Sequence, residues 1–196
     1  MRNLETRLHE SVVREDFNAL GHFYADLGMP TPRIIWSPKA EELEQAQLQF
    51  LLTYWRGLRD DAGRVNVGCI DALDMRPALG YLMLLDVLDD GTDFRYRLYG
   101  SVIAQHANFD MTGRRLSELK PDQGVGVFFH VVYRAVLARP EPVYTEHAPP
   151  PKIRVKLWYR LILPLFGDDG AVCRLLVGNI PGEWRNPDLP SGRSHG

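Results

Sequence analysis

Two pairs of β-type runs, each closed by a turn rich in Asp and Gly and held apart by a helical stretch, limit what this chain can become. The first pair is Tyr81 to Leu88 and Phe94 to Tyr99, joined by Asp89-Asp90-Gly91-Thr92. The second is Ile153 to Phe166 and Val172 to Ile180, joined by Gly167-Asp168-Asp169-Gly170. An Asp-Gly turn between apolar runs is a hairpin signal. Between the hairpins, Ser101 can cap a short helix carrying Val102, Ile103 and His106, and Asn108 to Gly113 reads as a turn. Arg114 to Leu119 resembles a further helical turn. Pro121-Asp122 then opens a longer helix in which Val125, Phe129, Val132 and Val136 recur three or four apart, until Arg139-Pro140 stops it. Residues 142–147 add a short strand, and Pro149-Pro150-Pro151 makes a stiff linker. Five strands with their helices gathered in the middle predict an α+β domain whose antiparallel sheet has one face covered by those helices.

Upstream, Ser37 and Pro38 suit the start of a helix, and Leu43, Ala46, Phe50, Leu51, Tyr54, Trp55 and Leu58 form its apolar stripe. Leu4, Leu8, Val12, Phe17, Leu20, Phe23, Tyr24 and Leu27 suggest helix before that. Residues 1–36 are therefore expected to be a helical extension, 37–180 the domain, and 181–196 a disordered tail rich in Pro, Gly and Ser. Residues 64–79 read as irregular, with Asp71 or Asp74 available to cap a turn before Pro77.

Charge narrows the partners. With 23 Lys and Arg against 25 Asp and Glu, the net charge of -2 offers no field to draw in nucleic acid. The first ten residues lack an apolar signal core, and no apolar run reaches the ~20 residues of a membrane span. Cys69 and Cys173 fall in no metal-ligand or CxxC spacing, as in a reducing compartment. A cytoplasmic protein without nucleic-acid or membrane partners is expected.

The sequence resembles the PAS domains, and among them the stand-alone PAS proteins of alphaproteobacteria. The resemblance lies in Leu52-Thr-Tyr-Trp-Arg-Gly-Leu-Arg59, Leu84-Leu-Asp-Val87, Phe94-Arg-Tyr-Arg-Leu-Tyr-Gly-Ser101 and Asp110-Met-Thr-Gly-Arg114. It continues in Tyr159-Arg-Leu-Ile-Leu-Pro-Leu165, Asp169-Gly170 and Leu175-Leu-Val-Gly178, covering residues 41–180 in all. Departures fall at residues 64–74, where the family is more polar, and at Asn108, where glycine is common. The resemblance implies a five-stranded sheet roofed by the helices of residues 100–139. It also implies a bacterial signalling sensor that binds small molecules or protein partners, with no catalytic motif to carry over.

Alternation in Phe94 to Tyr99 sets Phe94, Tyr96 and Leu98 on one face and Arg95, Arg97 and Tyr99 on the other. The aromatic side is expected beneath the helices, opposite Phe129 and beside Tyr159. Aromatic walls with the polar tips of Tyr96 and Tyr159 suit a small organic ligand. His106 could bond an acidic ligand, and Arg114 could cover the mouth of such a pocket. Tyr96, Leu98, His106, Arg114, Phe129 and Tyr159 are thus the expected ligand-binding residues. Arg95, Arg97 and Arg160 could clamp a carboxylate or phosphate, but alternation favours the solvent side, where they pair with acids.

No cofactor is named by these residues. The middle helices hold no cysteine for flavin photochemistry. His130, one position past Phe129, sits off the apolar stripe and is expected at the solvent edge rather than on a haem iron. No metal site is expected. G-x-S-x-G, HExxH and P-loop patterns are absent, and Asp60-Asp61, Asp89-Asp90 and Asp168-Asp169 all fall in turns. Trp158, Ile162 and Phe166 make the opposite sheet face apolar, so burial by the helix from Pro38 or by a second copy is expected, and with it a homodimer. The expected function is a non-catalytic sensory or regulatory module relaying its state through dimer or partner contacts. The alternative is an α+β enzyme or carrier with a curved, cone-shaped sheet, disfavoured because a hairpin precedes the helices. A third reading is an adaptor whose interior is filled.

Overall fold

The computed structural model describes residues 2–119, 124–149 and 153–184. The expected helix opening at Pro121-Asp122, most of the polyproline linker and the tail from residue 185 lie outside them. Five helices appear among the described residues: α1 (Arg2–Val13), α2 (Asn18–Asp26), α3 (Ala46–Gly57), α4 (Ser101–Ala107) and α5 (Val125–Ala138). The strands are β1 (Arg33–Trp36), β2 (Leu82–Leu88), β3 (Asp93–Tyr99), β4 (Val143–His147), β5 (Trp158–Phe166) and β6 (Val172–Pro181). They form one antiparallel sheet in the order β1-β4-β5-β6-β2-β3. The architecture is the expected α+β one with an antiparallel sheet, with β2 to β6 as the five expected strands and both hairpins in place.

The sixth strand was not expected. Residues 33–36, assigned to a helical extension by sequence, pair with β4 as Ile34 with Thr145 and Trp36 with Val143. The four residues of β1 are too few to show a period, and only the partner strand makes them β. The helices ahead of β1 join the same core: Leu8, Val12, Leu20 and Tyr24 are buried with α5 and the sheet. Trp36 Nε1 donates to the Val12 carbonyl at 3.1 Å, and Arg139 spans Glu15 at 2.6 Å and Glu141 at 2.9 Å.

The helix expected from Ser37 begins later. Ser37 takes φ +46° and gives its hydroxyl to Glu141, a single tight turn covers Ala40–Glu42, and α3 starts only at Ala46. Likewise β5 starts at Trp158 rather than Ile153. Arg154 and Lys156 stay exposed, and Val155 makes an isolated bridge to Trp184. Ser101 opens α4 as expected, but Gly100 occupies the cap position and no side chain caps it.

Both faces of the sheet are covered, which inverts the expectation for β5. Trp158 and Ile162 pack under α5, whereas Leu161, Leu163 and Leu165 pack under α3 with Leu48, Leu51, Leu52 and Trp55. Alternation separates the two sets of side chains but cannot say which lies on which side when both are apolar. The face of Trp158 and Ile162, for which burial by the helix from Pro38 or by a second copy was expected, is thus covered by α5 of the same chain, while α3 covers the other face. Trp55 pins that helix by donating from Nε1 to the Pro164 carbonyl at 3.0 Å. Pro164 is tolerated because β4 pairing ends at Ile162, which leaves that edge of β5 free.

Gly178 lets α3 approach. A Cβ there would lie 2.6 Å from Leu48 Cδ2 and 2.9 Å from Leu51 Cδ2. Gly178→Val is therefore expected to cost about 1–3 kcal/mol through overpacking, with Gly178→Ala costing less, as read by urea unfolding.

Candidate functional site

The strand Trp158-Tyr-Arg-Leu-Ile-Leu-Pro-Leu-Phe166 carries one charged side chain among apolar ones. Trp158, Arg160 and Ile162 share the face under α5, so Arg160 is carried into the core, where it is only 4 % exposed. Residues directly opposite on antiparallel neighbours share a face. Arg160 stands opposite Thr145 on β4 and Asn179 on β6, both buried, so a polar row crosses three adjacent strands. From above, α5 brings Phe129 and Tyr133, four residues apart and hence on one helical face.

The contacts are short and directional. Arg160 Nε donates to Asn179 Oδ1 at 3.0 Å, and Nη1 donates to the Tyr133 hydroxyl oxygen at 3.0 Å. The guanidinium carbon lies 3.8 Å from the centre of the Phe129 ring. The hydroxyls of Tyr133 and Tyr96 also interact. Phe94 and Tyr133 meet edge-on at 5.3 Å, and Phe129 stacks on Tyr133 at 6.1 Å. Among the described residues no carboxylate lies within ion-pair distance of Arg160. A cation–π contact of about 0.5–2 kcal/mol and two hydrogen bonds to neutral acceptors, with no anion beside it among the described residues, offset only part of the several kcal/mol that burying a guanidinium costs.

The surrounding groups are donors. Burial raises the pKa of Tyr96, Tyr133 and Tyr24, which keeps all three hydroxyls protonated. His147, 1 % exposed, is held neutral because burial and then the Arg160 charge push its pKa well below the usual histidine range. Three buried atoms here have no hydrogen-bond partner: Tyr24 Oη, Thr145 Oγ1 and His147 Nδ1. Thr145 is the cross-strand neighbour of Arg160, while Tyr24 and His147 both pack on Phe128 and both feel the Arg160 charge. Unpaired polar atoms are uncommon in folded cores, so three around one cation mark a site.

Of the six residues expected to bind a ligand, Tyr96 and Phe129 belong to this cluster. Leu98 does not. The β2–β3 register shifts between Leu84 and Leu85, the bulge reverses the alternation, and Leu98 is 41 % exposed while Tyr99 turns in against Tyr96. Tyr159 lies on the α3 face, with Leu161 and Ile180. His106 sits at the surface of α4, its Nδ1 2.7 Å from the Val102 carbonyl and its ring 4.8 Å from that of Trp184. Arg114 is exposed, and its contribution is a backbone carbonyl that accepts from the Tyr96 amide at 3.0 Å.

Arg95 and Arg97 are exposed as expected, and Arg97 pairs with Asp86 at 3.0 Å. Arg160 corrects the solvent-side expectation, because β5 lies inside the sheet with both faces covered. His130 contacts the Thr92 carbonyl at 3.0 Å and packs on Phe94. Asp60, Asp168 and Asp169 serve turns: Asp60 accepts from the Arg64 amide, Asp168 from Asn66 and Asp169 from the Ala171 amide. Tyr133, Asn179, Thr145, His147 and Tyr24 were not singled out by sequence. The available signal was a lone Arg and a lone Asn in facing apolar strands, but the bulge between Leu165 and Phe166 displaces any register counted from the turn. Among the described residues no cluster of His, Cys, Asp and Glu could hold a metal, and no helix is long and apolar enough to cross a membrane.

No protein-family model and no curated protein matches the sequence. A solved structure of an RNA-binding light-oxygen-voltage receptor is similar over 85 % of this chain at 14 % identity, with a TM-score of 0.43. The similar region is 43 % of that receptor chain, so this protein spans less than half its length.

Proposed function

We propose that the protein is a non-catalytic sensory module of PAS type, akin to the stand-alone PAS regulators of alphaproteobacteria, whose state is set by a small molecule bound at the Arg160 cluster. The observation that carries this reading is the buried guanidinium with three unpartnered polar atoms around it, on the face of the sheet under α5. A cytoplasmic location and relay to a protein partner or a second copy belong to the same proposal. Supporting the relay is a continuous path outward. Tyr133 is bonded to Tyr96, Tyr96 meets Tyr99 at 5.5 Å, and Tyr99 meets Phe109, which is 44 % exposed, at 6.1 Å.

Native mass spectrometry of the purified full chain tests the reading. A molecule of defined mass, retained in the folded protein and released on denaturation, is the expected result. A bare polypeptide mass, together with no thermal stabilisation by any small molecule tried, would instead support an adaptor with a filled interior.

A further inference from the structure

We infer that the Arg160 cluster takes a small organic monocarboxylate, its charge met by the guanidinium and its oxygens by Thr145, Tyr24 and His147. This rests on the sensor reading and names the ligand class for the same site. Three features of the site lead there.

The first is donor chemistry. A threonine hydroxyl, a tyrosine hydroxyl and one imidazole nitrogen are the unpartnered groups, and each can donate. Asn179 and Tyr133 engage only part of the guanidinium, which has further N–H groups to give. A ligand that satisfies this set must be rich in acceptors, and a carboxylate consists of acceptors only.

The second is charge. His147 is neutral, the tyrosines are protonated, and the described residues supply no carboxylate to Arg160. The cluster therefore carries one uncompensated positive charge in a buried setting. One negative charge neutralises it. A phosphate dianion or a dicarboxylate would leave a second charge buried and unpaired, at a cost of several kcal/mol.

The third is the wall. Phe128 and Phe129 both pack against the His147 ring, at 5.3 and 5.2 Å, and Trp158 lies on the same face. Such surroundings suit the carbon body of an organic acid better than a hydrated inorganic anion.

The test begins with native mass spectrometry of the full chain. A retained molecule bearing a carboxyl group supports the inference, and a retained neutral molecule overturns it while leaving the sensor reading intact. If the bare chain is observed, thermal melts are run with benzoate, phenylacetate and hexanoate, each against its neutral amide, and with inorganic phosphate. At least one acid is expected to raise the melting temperature saturably, with its amide and phosphate giving no shift. Arg160→Met should abolish the shift, and Thr145→Val, a near-isosteric change, should weaken apparent affinity about tenfold. Equal shifts from an acid and its amide, an equal shift from phosphate, or a shift that persists in Arg160→Met each overturn the inference. A bare chain with no response to any acid overturns the inference, and one with no response to acid, amide or phosphate overturns the sensor reading as well.

Discussion

Tyr133→Phe is expected to destabilise the folded chain by about 2–4 kcal/mol, although it removes a single oxygen atom. That oxygen accepts from Arg160 Nη1 at 3.0 Å, and the same hydroxyl interacts with that of Tyr96. Its loss leaves a buried charged donor unsatisfied and takes the partner from the buried Tyr96 hydroxyl, and each such group costs about 1–3 kcal/mol or more. The ring contacts with Phe94 and Phe129 are unchanged by the substitution, so packing contributes little. A double-mutant cycle in urea isolates the cause. Arg160→Met removes the charged donor while keeping most of the side-chain volume, and should make the Tyr133→Phe change cheaper by roughly 1–3 kcal/mol. A cycle that closes with no coupling would show that Tyr133 holds the fold by packing alone, and the charge argument for this site would fall with it.

The second large effect is on pH dependence. Because burial and Arg160 hold the folded pKa of His147 well below the usual value of 6.5, the unfolded chain binds a proton near pH 6 that the folded chain refuses. Stability is thus unaffected by this group above about pH 6.5, and falls as pH drops toward the folded pKa by about 1.4 kcal/mol per pH unit. Between pH 6.5 and 5 the wild type should lose more stability than His147→Gln, by up to about 2 kcal/mol, as measured by urea titrations at each pH. His9, also shifted down by burial and then by Arg134, contributes to both curves and cancels in the comparison. The carboxyls of Asp93 and Glu141 act lower, near pH 4 and below. At Asp93 burial is the largest single influence and pushes the carboxyl up, but hydrogen bonds from Ser117 and the Phe94 amide together with the His130 interaction hold it low, and Arg139 holds Glu141 low. Parallel slopes for wild type and His147→Gln would mean that His147 is solvated in the folded state.

The two hairpins and α5 were legible because each signal is local. Asp-Gly turns, two-residue alternation and a stripe repeating every three or four residues require no knowledge of neighbours. Phe94 and Tyr96 were placed correctly for the same reason. Leu98 was lost two residues later because one bulge reverses the alternation, and bulges have no dependable sequence mark. Tyr159 and Arg160 were exchanged between faces because β5 is apolar on both sides. A strand covered by α3 below and α5 above has no polar face to orient it. β1 escaped because its pairing with β4 joins residues more than a hundred positions apart.

By itself the order of the residues determined the α+β class, the antiparallel hairpins and the aromatic wall of β3, since these follow from short-range backbone and side-chain preferences. Only the tertiary structure decided that Arg160 is inside rather than outside, and that Thr145, Asn179, Tyr133, His147 and Tyr24 gather around it. The physical reason is that burial belongs to a whole assembly of layers: a guanidinium on a strand is a surface group or a buried cation according to what packs above it, and here α5 does.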